Sequence, residues 1–175
     1  MDRRITRSRA AGFALAFGLT FGLGASPALA AAKSVVFLGV QFLNDHEDLE
    51  PTTAAERSRV AAAGEAFKAK MEASGHYAFA PVPADAQTKI DDGPVIGSCG
   101  GCEFQYGRQL GGQLVAWLVV QKVSDLILNI NVYIGDVATG KLTQVHSVDI
   151  RGNTDESWAH GVNYLVKNYV LKDAG

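Results

Sequence analysis

Cysteine, methionine and tryptophan each occur only twice in the 175 residues, and beyond the first 30 residues no stretch concentrates lysine and arginine. Two cysteines allow one disulfide and fall short of the roughly four ligands of a structural zinc site. Without a basic cluster there is no surface to neutralise phosphates, which excludes nucleic acid as a partner. No proline follows Pro94, and no G-x-S-x-G or comparable nucleophile motif occurs. Outside the first 30 residues no apolar run approaches the ~20 residues of a membrane span.

What stands at the N-terminus is a secretory signal. Arg3, Arg4, Arg7 and Arg9 form a charged start, Ala10 to Gly24 an apolar middle, and Ser26-Pro27-Ala28-Leu29-Ala30 a small-x-small ending. This order predicts a signal peptide over residues 1–30, cleavage after Ala30 and a periplasmic product. No cysteine lies near the cut, so neither a lipid anchor nor a stable membrane anchor is expected after cleavage. Setting aside four Arg and one Asp leaves 12 basic and 17 acidic residues, a formal charge of −5. Residues 31–175 suffice for one domain with its own core. Cys99 and Cys102 fall in the exported part, where oxidation is expected.

The stretch Gln113–Arg151 organises the rest. Leu126, Leu128, Ile130, Val132 and Ile134 recur at every second position, as on one face of a strand. Leu114–Val120 before it is almost continuously apolar, and Lys141–Arg151 after it is more polar, like an edge strand. With turns at Val123–Asp125 and Asp136–Gly140, this predicts a three-strand meander. Upstream, Ser34–Phe42 reads as a strand buried on both faces. Thr53-Ala54-Ala55-Glu56 reads as a capping box opening a helix to about Ser74, with Val60, Ala63, Phe67 and Met71 on one stripe. A short strand at His76–Ala80 follows, then a Pro- and Gly-rich surface loop over Pro81–Gly101. A short helix over Glu103–Leu110 leads into the meander. Asn153 caps a last helix with Trp158, Val162, Leu165, Val166 and Tyr169 on its core face. The expected order is β-α-β-α-β-β-β-α: an α/β single domain, with α+β character, in which helices pack on a mixed sheet.

Four stretches carry candidate chemistry. Cys99-Gly-Gly-Cys102 fits a redox pair at a helix start, where the dipole stabilises a thiolate. Glu103 opposes that charge, and the reading favoured for the pair is a local structural disulfide pinning a loop. Asp45-His46-Glu47-Asp48 follows the first strand, at the carboxyl edge where open α/β sheets bind ligands. Its oxygens and imidazole suit a divalent cation, yet it lacks the spacing and glycine of a calcium loop and reads also as a solvated acidic loop. Gly135–Lys141 matches the first positions of a phosphate-binding loop, but Leu142 stands where Ser or Thr is needed and the segment joins two strands, as a hairpin turn does. Arg151, Asn153, Thr154, Asp155 and Trp158 gather beside a helix N-terminus, where an anion or a partner's carboxylate would sit, or where capping and core packing need the same residues.

Leu110-Gly111, Asp136-Val137-Ala138-Thr139-Gly140 and the helix from Thr154 resemble the pattern shared by the TolB amino-terminal domain, CsgG and related envelope proteins. Residues 34–171 also resemble a family of secreted Gram-negative proteins with no assigned activity. The resemblance implies an α/β domain that contacts proteins of the cell envelope without a cofactor. CsgG and several relatives are lipid-anchored, and this chain lacks the cysteine that anchoring requires. The leading expectation is therefore a periplasmic, non-enzymatic module with an envelope or periplasmic protein partner. The alternatives are a thiol-disulfide oxidoreductase using Cys99 and Cys102, and a small-ligand or metal-binding protein. An accessory role beside a quinoprotein oxidation system is a further implication of the family resemblance.

Overall fold

The capping box at Thr53 forms as its spacing dictates. Thr53 Oγ1 accepts the Glu56 amide N–H at 3.1 Å, and Glu56 Oε2 accepts the Thr53 N–H at 2.7 Å. These bonds satisfy amides that a helix start otherwise leaves unpaired, and they open α1 (Ala54–Ala73). The structure, a computed structural model, describes residues 31–173. The expected signal peptide, residues 1–30, lies outside the described residues.

Five strands form one sheet: β1 (Lys33–Asn44), β2 (Tyr77–Phe79), β3 (Leu114–Ser124), β4 (Ile127–Asp136) and β5 (Lys141–Arg151). Their spatial order is β2-β1-β3-β4-β5. β1 pairs parallel with both β2 and β3, whereas β3, β4 and β5 form the antiparallel meander. β5 is an edge strand, as its polarity predicts. The remaining helices are α2 (Ala84–Asp91), α3 (Cys102–Gln109) and α4 (Asp155–Leu165), which runs on into a π-helical turn, Val166–Val170.

Alternation decides which side chains meet. Leu118 and Val120 of β3, Leu128, Ile130, Val132 and Ile134 of β4, and Val148 and Ile150 of β5 face one side. There they pack on Phe67 and Met71 of α1 and on Trp158, Val162 and Leu165 of α4. Phe67 is fully buried, a burial worth roughly 2 kcal/mol. The other sheet face has a smaller core in which Val36, Leu38, Val115 and Trp117 meet Ile90, Ile96, Phe104 and Val137.

Four expectations change. Tyr169, expected on the core face of the last helix, is 37% exposed and lies outside the main core. Pro81–Gly101 is not wholly loop, because α2 occupies Ala84–Asp91 within it and buries Ile90 against the second core. Leu126 leaves the alternating stripe: β4 begins one residue later, and Leu126 sits in the turn, 74% exposed. The cap of α4 is Thr154, whose hydroxyl accepts the Ser157 N–H at 3.2 Å, and not Asn153. The absence of clean alternation in β1 also acquires a cause. Its pairing with β3 slips between Phe37 and Val40, where Gly39 adopts φ 101°, a left-handed conformation that an L side chain resists. Phe37 and Val40 therefore both turn toward the α1 side.

Candidate functional site

β1 and β3 run parallel, and β5, antiparallel to β4, runs the same way. Their carboxyl ends thus lie at one edge of the sheet, where α1 and α4 begin. This brings the loop after β1 and the segment after β5 to the same edge, although 100 residues separate them in sequence.

In the first of these, Glu47 accepts the Thr52 N–H at 3.0 Å and the Asn44 side-chain amide at 3.1 Å. The Thr52 hydroxyl, with its amide behind it, holds the Glu47 carboxyl below the usual carboxylate range. Asp45 lies 3.3 Å from the Gln121 amide, while His46 and Asp48 are exposed. The ligand atoms of Asp45, His46, Glu47 and Asp48 do not gather as a group within 4.8 Å of one another.

In the second segment the side chains satisfy one another. Asn153 Oδ1 accepts the Trp158 indole N–H at 3.0 Å and an Arg59 N–H at 3.2 Å. Its amide donates to Glu56 Oε1 at 2.7 Å and Asp125 Oδ1 at 3.1 Å. Asp155 pairs with Arg59 at 2.7 Å. Trp158 is buried in the main core, and Arg151 is exposed, with no ion pair among the described residues.

Joining the two segments is a buried pair that no motif announces. Lys122, at the end of β3, donates to Glu56 Oε1 at 2.9 Å and meets Asp125 Oδ1 at the same distance. Burial pushes the Glu56 carboxyl up, but hydrogen bonds from the Thr53 amide, Lys122, the Thr53 hydroxyl and Asn153 outweigh it and bring its pKa down to about 2. Burial likewise works to lower the Lys122 ammonium, and its bonds to Glu56 and Asp125 leave it raised. Both groups are therefore charged at neutral pH and satisfied, which leaves neither poised for proton transfer there. Outside them lies a cleft of about 680 Å³. One sequence signal did exist: Lys122 has the same parity as Leu118 and Val120, so alternation aims it at the helices.

The opposite sheet face holds the cysteines. Cys99 and Cys102 form a disulfide with Cα atoms 5.5 Å apart, and Cys102 begins α3. Gly97, upstream, lies against the Trp117 ring; a Cβ there would come within 3.3 Å of it. The loop thus covers one side of Trp117, while Tyr133 stacks parallel to it at 5.0 Å. Beside them is a cavity of about 230 Å³, lined also by Leu43, Val95, Glu103 and Leu142. Glu103 is only 8% exposed, with Oε2 3.1 Å from Cys99 Sγ. A disulfide sulfur has no hydrogen to donate, so this is a contact and not a hydrogen bond. The ligand atoms of Cys99, Cys102 and Glu103 lie within 4.8 Å of one another, but oxidised sulfurs offer no thiolate to a metal.

No helix among the described residues is long and apolar enough to cross a membrane. The DUF3280 family, described as "Protein of unknown function (DUF2380)", matches residues 33–170. None of the curated proteins matches the chain. Among solved structures, the LpoB C-terminal domain from Salmonella enterica is similar over 72% of this chain and 87% of that one, at 12% identity and a TM-score of 0.49. The lipoprotein GNA1162 from Neisseria meningitidis is similar over 82% and 97%, at 16% identity and 0.49. TolB from Acinetobacter baumannii is similar over 78% of this chain and 29% of its own, at 11% identity and 0.43.

Proposed function

The chain belongs to the DUF3280 family of unknown function, and we propose that it is an exported, non-enzymatic module that binds a protein partner in the periplasm or cell envelope, without a cofactor. The observation that carries this reading is the apolar rim around the cavity on the disulfide side of the sheet. Leu43, Val95 and Leu142 line the cavity, and Val145 stands beside it, cross-strand from Tyr133. They are exposed by 43%, 54%, 46% and 54%. Apolar side chains gathered on one face mark a contact surface, whereas single ones scattered over a surface do not. The N-terminal signal pattern supports export, and the internally satisfied charges at the carboxyl edge support a binding role over proton-transfer chemistry.

A photo-crosslinking side chain placed at Leu142 or Val145 tests the reading in cells. It should give one discrete protein adduct that Leu43→Glu abolishes, while the same group at Glu65, on the exposed surface of α1, gives none. A crosslinking pattern identical at all three positions, or none at all, would reject the proposal.

A further inference from the structure

Glu103 is more than nine-tenths buried, yet among the described residues it has neither an ion pair nor a hydrogen-bond donor to its carboxylate. Two nearby groups do not pair with it. Arg108, on the same helix, directs its guanidinium to the Val137 carbonyl at 3.4 Å, and the disulfide sulfur has no hydrogen. What Glu103 faces is the cavity, where it is the one acidic or basic side chain among the lining residues. The start of α3 supplies a favourable dipole for the carboxylate but no partner.

The rest of the cavity narrows the ligand's chemistry. Its volume of about 230 Å³ lies below the roughly 300–1,000 Å³ of sites for whole small molecules, and suits one side chain. Leu43, Val95 and Leu142 form the mouth, and the half-buried Tyr133 ring, backed by Trp117, forms part of the wall. An apolar sleeve ending in an unpaired anion beside an aromatic ring fits a group with an aliphatic stem and a cationic tip. We infer that the cavity bounded by Glu103, Tyr133 and the Leu43, Val95 and Leu142 rim receives a lysine or arginine side chain from the protein partner, with Glu103 as its counter-ion. This deepens the proposed binding role and rests on it for the source of the side chain. The disulfide has a positioning part here, because it closes the loop directly against the carboxylate.

The test is an NMR titration of the protein, disulfide intact, with Nα-acetyl-lysine methylamide and with its neutral Nε-acetylated counterpart. The charged probe should shift the Trp117 indole N–H and the Gly97 amide saturably. The neutral one should bind about tenfold more weakly, roughly 1.4 kcal/mol. Glu103→Gln should erase the difference between the two probes while leaving the spectrum of the α1 and α4 side unchanged. Should that variant fold poorly, the two-probe comparison on the unaltered protein decides. Equal affinities for both probes, shifts confined to the acidic loop at residues 45–50, or no shift below about 50 mM would each overturn the inference. The two proposals fail separately. Charge-dependent lysine binding without a protein adduct at Leu142 sinks the protein-partner reading alone, and an adduct without charge discrimination sinks the cavity's chemistry alone.

Discussion

Lys122 Nζ lies 2.9 Å from Glu56 Oε1 with both side chains at 5% exposure or less, although 66 residues separate them in sequence. One Glu56 oxygen caps α1 while the other holds the end of β3 and Asn153 of the segment leading into α4. A single carboxylate therefore ties together three elements at the carboxyl edge of the sheet.

Removing either partner leaves an uncompensated buried charge, which typically costs roughly 3–5 kcal/mol. Glu56→Gln and Lys122→Met should each lower stability by about that much in urea unfolding. The double variant Glu56→Gln with Lys122→Met should lose less than the sum of the singles. Additive losses would show that the two charges do not act as a pair.

The same carboxyl predicts an acid response. Its folded pKa of about 2 lies below the ordinary 4.5, so its contribution is complete above the unfolded value and is lost as pH falls from about 4.5 toward 2. That shift corresponds to roughly 3 kcal/mol. Unfolding measured across that window should show a shallower acid slope in Glu56→Gln than in the unaltered protein. Parallel slopes would assign the acid sensitivity to other carboxylates.

The disulfide closes a ring of four residues, and so short a loop contributes less than about 2 kcal/mol through the unfolded chain. Cys99→Ser with Cys102→Ser should keep the domain folded and raise amide exchange mainly in residues 92–101, because α2 stays docked through Ile90. Cys102→Ser alone should trap no protein partner through Cys99, and the unaltered protein should not reduce insulin. Specific mixed disulfides in that variant would favour the oxidoreductase reading instead.

Gly161 marks where α4 crosses the meander. A Cβ there would lie 2.5 Å from Ile150 Cγ2 and 3.0 Å from Ile130 Cδ1. Alanine favours a helix by up to about 1 kcal/mol over glycine, but overpacking costs typically 1–3 kcal/mol. Gly161→Ala should therefore lower the melting temperature. An increase would mean that α4 can lift from the sheet without loss.

Export predicts a mass as well as a place. Mass spectrometry of the periplasmic fraction should find a chain starting at or next to Ala31. A chain retaining Met1 in the membrane fraction would contradict the proposed export.

Local chemistry was legible where its cause was local. The Thr53–Glu56 spacing predicted α1, and the Asp136–Gly140 turn formed as a hairpin because Asp136 Oδ1 accepts the Thr139 N–H at 2.7 Å. Alternation through Leu128, Ile130, Val132 and Ile134 located the buried face of β4. α2 escaped for an equally local reason. Pro83 caps it without a side-chain hydrogen bond, and Ile90 is its one buried residue, so neither a cap signal nor an apolar stripe marks it.

The sequence by itself determined every strand, the helices α1, α3 and α4 and the cysteine pair, because period and capping act within a few residues. Tertiary structure alone decided that Glu56 meets Lys122, that the loop after β1 shares an edge with the segment after β5, and that Glu103, Tyr133 and Leu142 line one cavity. Periodicity states which face a side chain takes but not what lies opposite. That depends on strand order and register, here including the one-residue slip at Gly39, which long-range packing of the whole sheet selects.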